Sequence, residues 1–379
     1  MKITGTHQHL LYLLIGITLL SCQNDKSLEL VRKAQNSLIM EQPAVARYLL
    51  ASVSNPENLD EYNHMLYIVT YVGAKYETKE DIRNDTLILE AQKYFNKKGD
   101  TGESTLANYY AAQVYDVNSN FPKALEAYMH AVYNAKESGN HLIAGKSLNN
   151  IGYIYFEQNL FDSATVNFRR ALLHYDKTEN ADQRKLRTFT NLGRSYDCIK
   201  KPDSAYLYFN KALDNAVKTK NEKYQSFSLQ NLGVVCFDME EYDKAIGYFQ
   251  SALAMDATDN VQTRQIHLCA LRIYNKKQDL KSAERYAELV TANLAEVTYI
   301  YTIKEMYAAL SEYYGQSGDY QQALHYSDLE KATKKQIEQE TNTSALLDAD
   351  KNFYLTQKNK KIDQLQIYKH YIRYFEELF

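Results

Sequence analysis

Residues 191–213 read NLGRSYDCIKKPDSAYLYFNKAL, and this stretch decides the fold. In its first half, a small residue, Gly193, is followed three residues later by an aromatic one, Tyr196. The second half carries, at spacings of four and three residues, Ala205, Phe209 and Ala212. Such spacings place side chains on one face of a helix. The Asp-Ser-Ala triplet at 203–205 can start the second helix, because Asp and Ser side chains cap free N–H groups. The stretch therefore predicts two short amphipathic helices joined by a turn.

The same pattern recurs in residues 110–132, 150–172 and 231–253, and in weaker copies around Tyr274 and Tyr314. Measured at the first alanine of the second helix, successive copies are 40, 41, 40, 38 and 40 residues apart. The copies share these alanines: Ala124, Ala164, Ala205, Ala245, Ala283 and Ala323. Six copies at a nearly constant period indicate a helical repeat protein.

This pattern resembles the tetratricopeptide repeat (TPR), whose usual unit has ~34 residues. The longer unit is similar to that of bacterial peptide-sensing proteins. The matching glycines are Gly152, Gly193 and Gly233, and the matching aromatics of the second helix are Tyr128, Phe168, Phe209 and Phe249. The resemblance implies an all-α solenoid, a right-handed superhelix of about eight helical hairpins. It also implies that the glycines lie where two helices cross closely.

We expect three regions after the N-terminal segment. Residues 22–335 form the solenoid, with degenerate hairpins in 22–100 and six TPR-like units in 104–335. Residues 336–379 form an amphipathic C-terminal helix, with an apolar stripe that includes Leu355 and Ile362. This helix resembles the juxtamembrane helix that follows TPR ectodomains in membrane-bound bacterial sensors. A capping helix packed on the last hairpin explains the same stripe.

The first 21 residues have the features of a signal peptide. An apolar run, Leu10 to Leu20, is too short to span a bilayer. It ends at Cys22 in a sequence that resembles a bacterial lipobox, which implies a lipoprotein carrying acyl chains such as palmitate on Cys22. A soluble secretory protein is the alternative. Gln23 next to that cysteine favours the outer membrane of a Gram-negative cell envelope, facing the periplasm, under the enterobacterial sorting rule.

Composition and motifs exclude several classes of function. The 44 Lys and Arg against 47 Asp and Glu give a net charge of −3, which argues against nucleic acid as a partner. The sequence lacks HExxH, GxSxG and GxxxxGK[ST] motifs, so we expect neither an enzyme nor a bound cofactor. Cys198, Cys236 and Cys269 are isolated in the repeats, which predicts buried packing and no metal site.

One polar set stands out from the packing pattern. Asn150, Asn191 and Asn231 occur two residues before the repeat glycines in three consecutive units. In TPR proteins this position faces the concave groove, and a column of amides can hold a peptide backbone. Polar and cationic residues near this column complete the predicted groove: Lys146, Asn149, Tyr153, Arg187 and Arg194. The three cations favour an acidic ligand. Alternatively, the amides only bond neighbouring helices.

These observations predict a lipid-anchored periplasmic TPR scaffold that binds a protein or peptide in its groove. The alternative is a sensor component whose transmembrane or output region is lost or supplied by another protein.

Overall fold

The computed structural model describes residues 26–255, 260–340, 351–354 and 356. Those residues are all-α and contain no strand, as predicted. The helices are α1 (residues 26–39), α2 (Pro43–Ala51), α3 (Glu61–Glu77), α4 (Ile88–Lys98), α5 (Thr101–Val117), α6 (Phe121–Ser138), α7 (His141–Glu157), α8 (Phe161–Tyr175), α9 (Asp182–Cys198), α10 (Pro202–Lys218), α11 (Glu222–Asp238), α12 (Tyr242–Leu253), α13 (Asn260–Lys277), α14 (Leu280–Asn293), α15 (Ile300–Ser317) and α16 (Tyr320–Glu340).

Consecutive helices pair into eight hairpins, α1–α2 to α15–α16, which confirms the expected number. We call the first helix of each hairpin helix A and the second helix B. Among the described helices, none is both long and apolar enough to cross a membrane. The described residues form two compact units: the first holds 26–147 and 351–354, and the second holds 148–255 and 260–340.

The second unit shows why glycine recurs in helix A. A Cβ atom on Gly152, Gly193 or Gly233 would lie within 2.7 Å of a phenylalanine ring of helix B in the same hairpin. The rings belong to Phe168, Phe209 and Phe249, all of which are buried. Because glycine lacks a side chain, each ring can rest on the backbone of helix A, and the predicted close crossing is confirmed.

The turn from helix A to helix B has one recurring geometry. In seven hairpins, the residue two positions before helix B adopts a positive φ; this residue is Glu41, Ser119, Asn159, Lys200, Glu240, Gln278 or Gly318. The next backbone N–H then reaches back to the helix A aromatic position: Lys201 donates to the carbonyl of Tyr196 at 2.9 Å. This arrangement is a helix C-terminal capping motif, and it satisfies a carbonyl that would otherwise lack a partner.

Helix B does not begin as the Asp-Ser-Ala triplets predicted. Helix α10 begins at Pro202, and its N-cap, Lys201, makes no side-chain capping bond. Asp203 lies inside the first turn, where its charge favours the helix N-terminus without capping it. The capping prediction is therefore wrong, because proline already fits the first helical position.

The first unit has a polar core beside its apolar one. The Asn108 amide is fully buried and donates to the Asn96 side-chain oxygen at 2.6 Å, while Gln92 donates to the Asn108 oxygen at 2.8 Å. Near the other end of the chain, the Phe353 ring packs edge-on against His130 of α6, with 5.2 Å between ring centroids. The predicted stripe from Leu355 onward lies outside the described residues.

Candidate functional site

A cleft of about 270 Å³ opens among the helix A elements of the second unit. Helices α7, α9, α10 and α11 contribute residues to it, together with the turn before α8, the start of α8, the connection before α15 and the first turn of α15. The cleft is lined by Phe156, Glu157, Asn159, Phe161, Arg194, Asp197, Cys198, Phe209, Asn231, Val234, Tyr299 and Tyr301. Five of these twelve side chains are aromatic, so the cleft offers apolar walls with a few polar groups between them.

Two of the predicted groove residues, Arg194 and Asn231, lie together in this cleft. The Arg194 guanidinium stacks over the Phe156 ring, 4.6 Å from its centroid. Such stacking orients the cation while leaving its N–H groups available at the ring edge. Asn231 is half-buried on α11.

The other predicted residues are placed differently. The Asn149 side-chain oxygen accepts a hydrogen bond from the Thr188 hydroxyl at 2.9 Å, so this amide joins α7 to α9. Asn149, which was predicted to lie near the amide column, thus bonds a neighbouring helix. Asn150 and Asn191 are half-buried, and Tyr153 and Arg187 are exposed on helix A.

Lys146 belongs to the first unit and forms an ion pair with Glu77 there. Its ammonium also lies over the Tyr109 ring, 5.1 Å from the centroid. The charge of Lys146 is thus already balanced within its own unit. Of the three cations that favoured an acidic ligand, only Arg187 and Arg194 therefore remain.

The cleft contains a carboxylate that the sequence analysis missed. Asp197 occurs four residues after Gly193, at the position that holds Phe156 and Phe237 in other units. An acidic residue at a position that is otherwise phenylalanine was a visible signal in the sequence. Burial, and then the nearby Asp238 carboxylate, raise the pKa of Asp197 to about 6.

The cations around Asp197 already have other partners. Lys200 pairs with Asp238 at 3.2 Å. Arg272 stacks on the Phe237 ring at 4.6 Å and lies 3.9 Å from the Glu305 carboxylate.

One wall of the cleft comes from a distant part of the sequence. Tyr299, just before α15, and Tyr301, in its first turn, lie beside the turn after α7, and the Asn159 amide donates to the Tyr301 hydroxyl at 2.9 Å. These two residues are 142 positions apart in the chain. No local pattern could have predicted this contact, because neither residue shows any periodicity that links it to the other.

The cysteines only partly follow the prediction. Cys236 and Cys269 are buried, as expected, but Cys198 is exposed and lines the cleft. The nearby Asp197 carboxylate adds to the effect of desolvation and raises the pKa of the Cys198 thiol to about 11, so the thiol is protonated at neutral pH. Within the described parts of the chain, no three His, Cys, Asp or Glu side chains converge as a metal site would need.

Comparison with known proteins agrees with this architecture. Residues 228–261 match the family described as "Tetratricopeptide repeat". The fold is a tetratricopeptide-repeat solenoid. The apo form of RapI is 13% identical in sequence and superimposes with a TM-score of 0.64, over 83% of this chain and 99% of RapI.

Two further solved structures share the fold. The apo quorum sensor NprR from B. thuringiensis is 14% identical, with a TM-score of 0.56 over 81% of this chain and 86% of NprR. A Rap protein in complex with competence and sporulation factor is 13% identical, with a TM-score of 0.53 over 85% of this chain and 99% of that one. At these identities the likeness concerns the fold alone.

Proposed function

We propose that the second unit binds an extended peptide, or an unstructured segment of a protein, along its helix A face. The cleft of about 270 Å³ carries this proposal, because it combines aromatic walls with the Asn231 amide and the Arg194 guanidinium. Ligand sites typically combine apolar walls with a few polar groups that set orientation. The binding partner of the Rap protein with the same fold, competence and sporulation factor, is consistent with a binding role for this architecture.

The half-buried amides Asn191 and Asn231 supply the peptide contacts in this proposal. An amide offers both donors and an acceptor, so it can pair with a peptide backbone without reading its side chains. In the free protein, water can replace a lost bond at a half-buried site. In a complex, the same loss leaves a desolvated peptide group unpaired and costs ~1–3 kcal/mol.

The test uses the full chain in detergent, immobilised and exposed to a pool of nonapeptides of random sequence. Retained peptides are counted by mass spectrometry. We expect retention by the parent protein, and a loss of about tenfold or more when Asn150, Asn191 and Asn231 are replaced together by Ala. Gln250→Ala is the matched control, because Gln250 is an exposed amide on helix B. Retention that is absent from the parent protein, or equal in the triple variant, would refute the proposal.

We further propose that Cys22 carries a lipid anchor and that the solenoid faces the periplasm from the outer membrane. The apolar run before Cys22 and the residue after it support this proposal. Both lie outside the described residues. Mass spectrometry of the mature N-terminus should find an acylated Cys22, and Cys22→Ser should leave unprocessed precursor. An unmodified N-terminus at another residue would contradict the anchor, while peptide binding would be unaffected.

A further inference from the structure

The Asp197 carboxylate of α9 lines the cleft. Among the described residues, no side chain makes a hydrogen bond or ion pair with it. The cations that act on its pKa have other contacts: Lys200 pairs with Asp238, Arg272 contacts Phe237 and Glu305, and Arg194 stacks on Phe156. A desolvated carboxylate of this kind is costly to keep ionised, and its raised pKa reflects that cost.

The surroundings of Asp197 match a cationic side chain better than an anionic one. Glu157 is exposed and also lines the cleft, so two carboxylates stand against the single guanidinium of Arg194. Arg194 is itself held on the Phe156 ring. An anionic ligand would be repelled by both carboxylates, whereas a cation would gain a partner for Asp197.

The walls of the cleft fit the stem of a long basic side chain. Phe161, Tyr299 and Tyr301 present aromatic surface there. Lysine and arginine stems bury readily along apolar surface while their charged ends reach a polar group. Aromatic faces also attract the cation itself.

We propose that this cleft is a specificity pocket that accepts an arginine or lysine side chain of the bound peptide, with Asp197 as the carboxylate that pairs with it. The inference rests on the proposed peptide-binding function and adds the chemical class of the peptide residue that the cleft recognises. It reverses the acidic preference expected from the sequence, because Lys146 is paired with Glu77 and Arg194 shares the cleft with the Glu157 and Asp197 carboxylates.

The experiment uses the same immobilised full chain and four nonapeptide pools, whose central residue is Arg, Lys, Glu or norleucine. We expect the Arg and Lys pools to be retained at least about tenfold more than the Glu pool, as for hydrogen bonds to a charged group. Asp197→Asn, which keeps the shape of the side chain and removes its charge, should abolish this preference. Asp214→Asn should leave it intact, because Asp214 is an exposed carboxylate on α10 outside the cleft.

Retention measured as a function of pH distinguishes a charged ligand contact from a structural role of Asp197. Lowering the pH from about 7.5 to about 5 should weaken retention of the Arg pool, because Asp197 becomes protonated. The charged groups that act on Asp197 are Asp238, Lys200, Arg272 and Arg194, and Asp238 is the only acid among them. Asp197→Asn should remove the pH effect.

The outcomes separate the two proposals. If no pool is retained, the peptide-binding function fails and this inference fails with it. If the pools are retained equally, or if Asp197→Asn keeps the basic preference, only the inference is overturned. A preference for the Glu pool would also overturn it and would restore the acidic ligand.

Discussion

The close contact between Gly193 and Phe209 yields the sharpest prediction about stability. A Cβ atom on Gly193 would lie 2.5 Å from Cε1, 2.6 Å from Cδ1 and 2.8 Å from Cζ of the Phe209 ring. Carbon atoms in contact are normally ~3.5–4.0 Å apart, so the ring must move by about 1 Å. Phe209 is only 2% exposed, so a shift of the ring displaces neighbouring atoms everywhere except at the edge that lines the cleft.

Gly193→Ala should therefore destabilise the second unit. Overpacking of this kind costs ~1–3 kcal/mol, and the gain in helix propensity from Gly to Ala returns ~1 kcal/mol. We expect a net loss of up to ~2 kcal/mol for Ala and a larger loss for Leu.

Gly247 provides a matched control in the same unit. It lies inside α12, is exposed, and a Cβ atom there would meet nothing within 4 Å. Gly247→Ala should stabilise the protein by ~0.5–1 kcal/mol, because alanine has the higher helix propensity and the new methyl group meets no other atom. Because both variants gain the same helix propensity, their free energies of unfolding should differ by the overpacking cost of ~1–3 kcal/mol, with Gly193→Ala the less stable.

Urea unfolding followed by far-UV circular dichroism measures the two free energies of unfolding. Hydrogen exchange of peptides from α9 and α10 shows whether the change is local. A second substitution, Phe209→Leu, should cost less in the Gly193→Ala background than alone, since the smaller side chain makes room for the new methyl group. Equal effects of Ala at Gly193 and Gly247, or no coupling with Phe209, would refute the close crossing.

Two other predictions concern single positions. The pKa of Asp197 is raised from its ordinary 3.8 to about 6 in the folded protein, so its contribution to the free energy of unfolding should rise by up to ~3 kcal/mol as the pH falls from about 7 to about 4. Urea unfolding of Asp197→Asn at several pH values should lack this rise, and a pH profile identical to that of the parent protein would contradict the shifted pKa. Gln278 and Gly318 occupy the same left-handed position of the turn, with φ of 54° and 88°. In urea unfolding, Gln278→Gly should raise the free energy of unfolding by ~1 kcal/mol and Gly318→Ala should lower it by a similar amount. Shifts of the same sign would argue against a shared turn geometry.

The fold was predictable because the same spacing of small and aromatic residues recurs in every repeat. Gly193, Tyr196 and Phe209 belong to one hairpin, and their spacing alone defines which faces of its two helices meet. Such contacts join residues that are close together in the sequence. Because the pattern is repeated, the prediction of helical hairpins does not depend on any single residue. The turn geometry at Lys200 was less visible, since a positive φ at a lysine has no sequence signature.

The candidate site was predicted less completely. Two residues that helix A periodicity placed in the predicted groove, Arg194 and Asn231, line one cleft. It could not show that Asn149 bonds to Thr188, or that Lys146 pairs with Glu77, because the partner of a polar side chain depends on packing between hairpins. Aligning the repeats would have identified Asp197, because this carboxylate occupies a position that is phenylalanine in other units.

Taken by itself, the sequence determined an all-α chain of eight hairpins, the glycines on which the phenylalanine rings rest, and the face that carries polar residues. Those properties depend on helical spacing and on residue size, which can be read along the chain. Only the tertiary structure decided what that face offers to a ligand. Tyr301 contacts Asn159, 142 residues away in the chain, and the nearby cations contact other groups, so the Asp197 carboxylate has no side-chain partner in the described part of the chain. Charges in a folded protein are balanced by neighbours in space, so the sign of a binding site follows from packing and not from a count of charged residues.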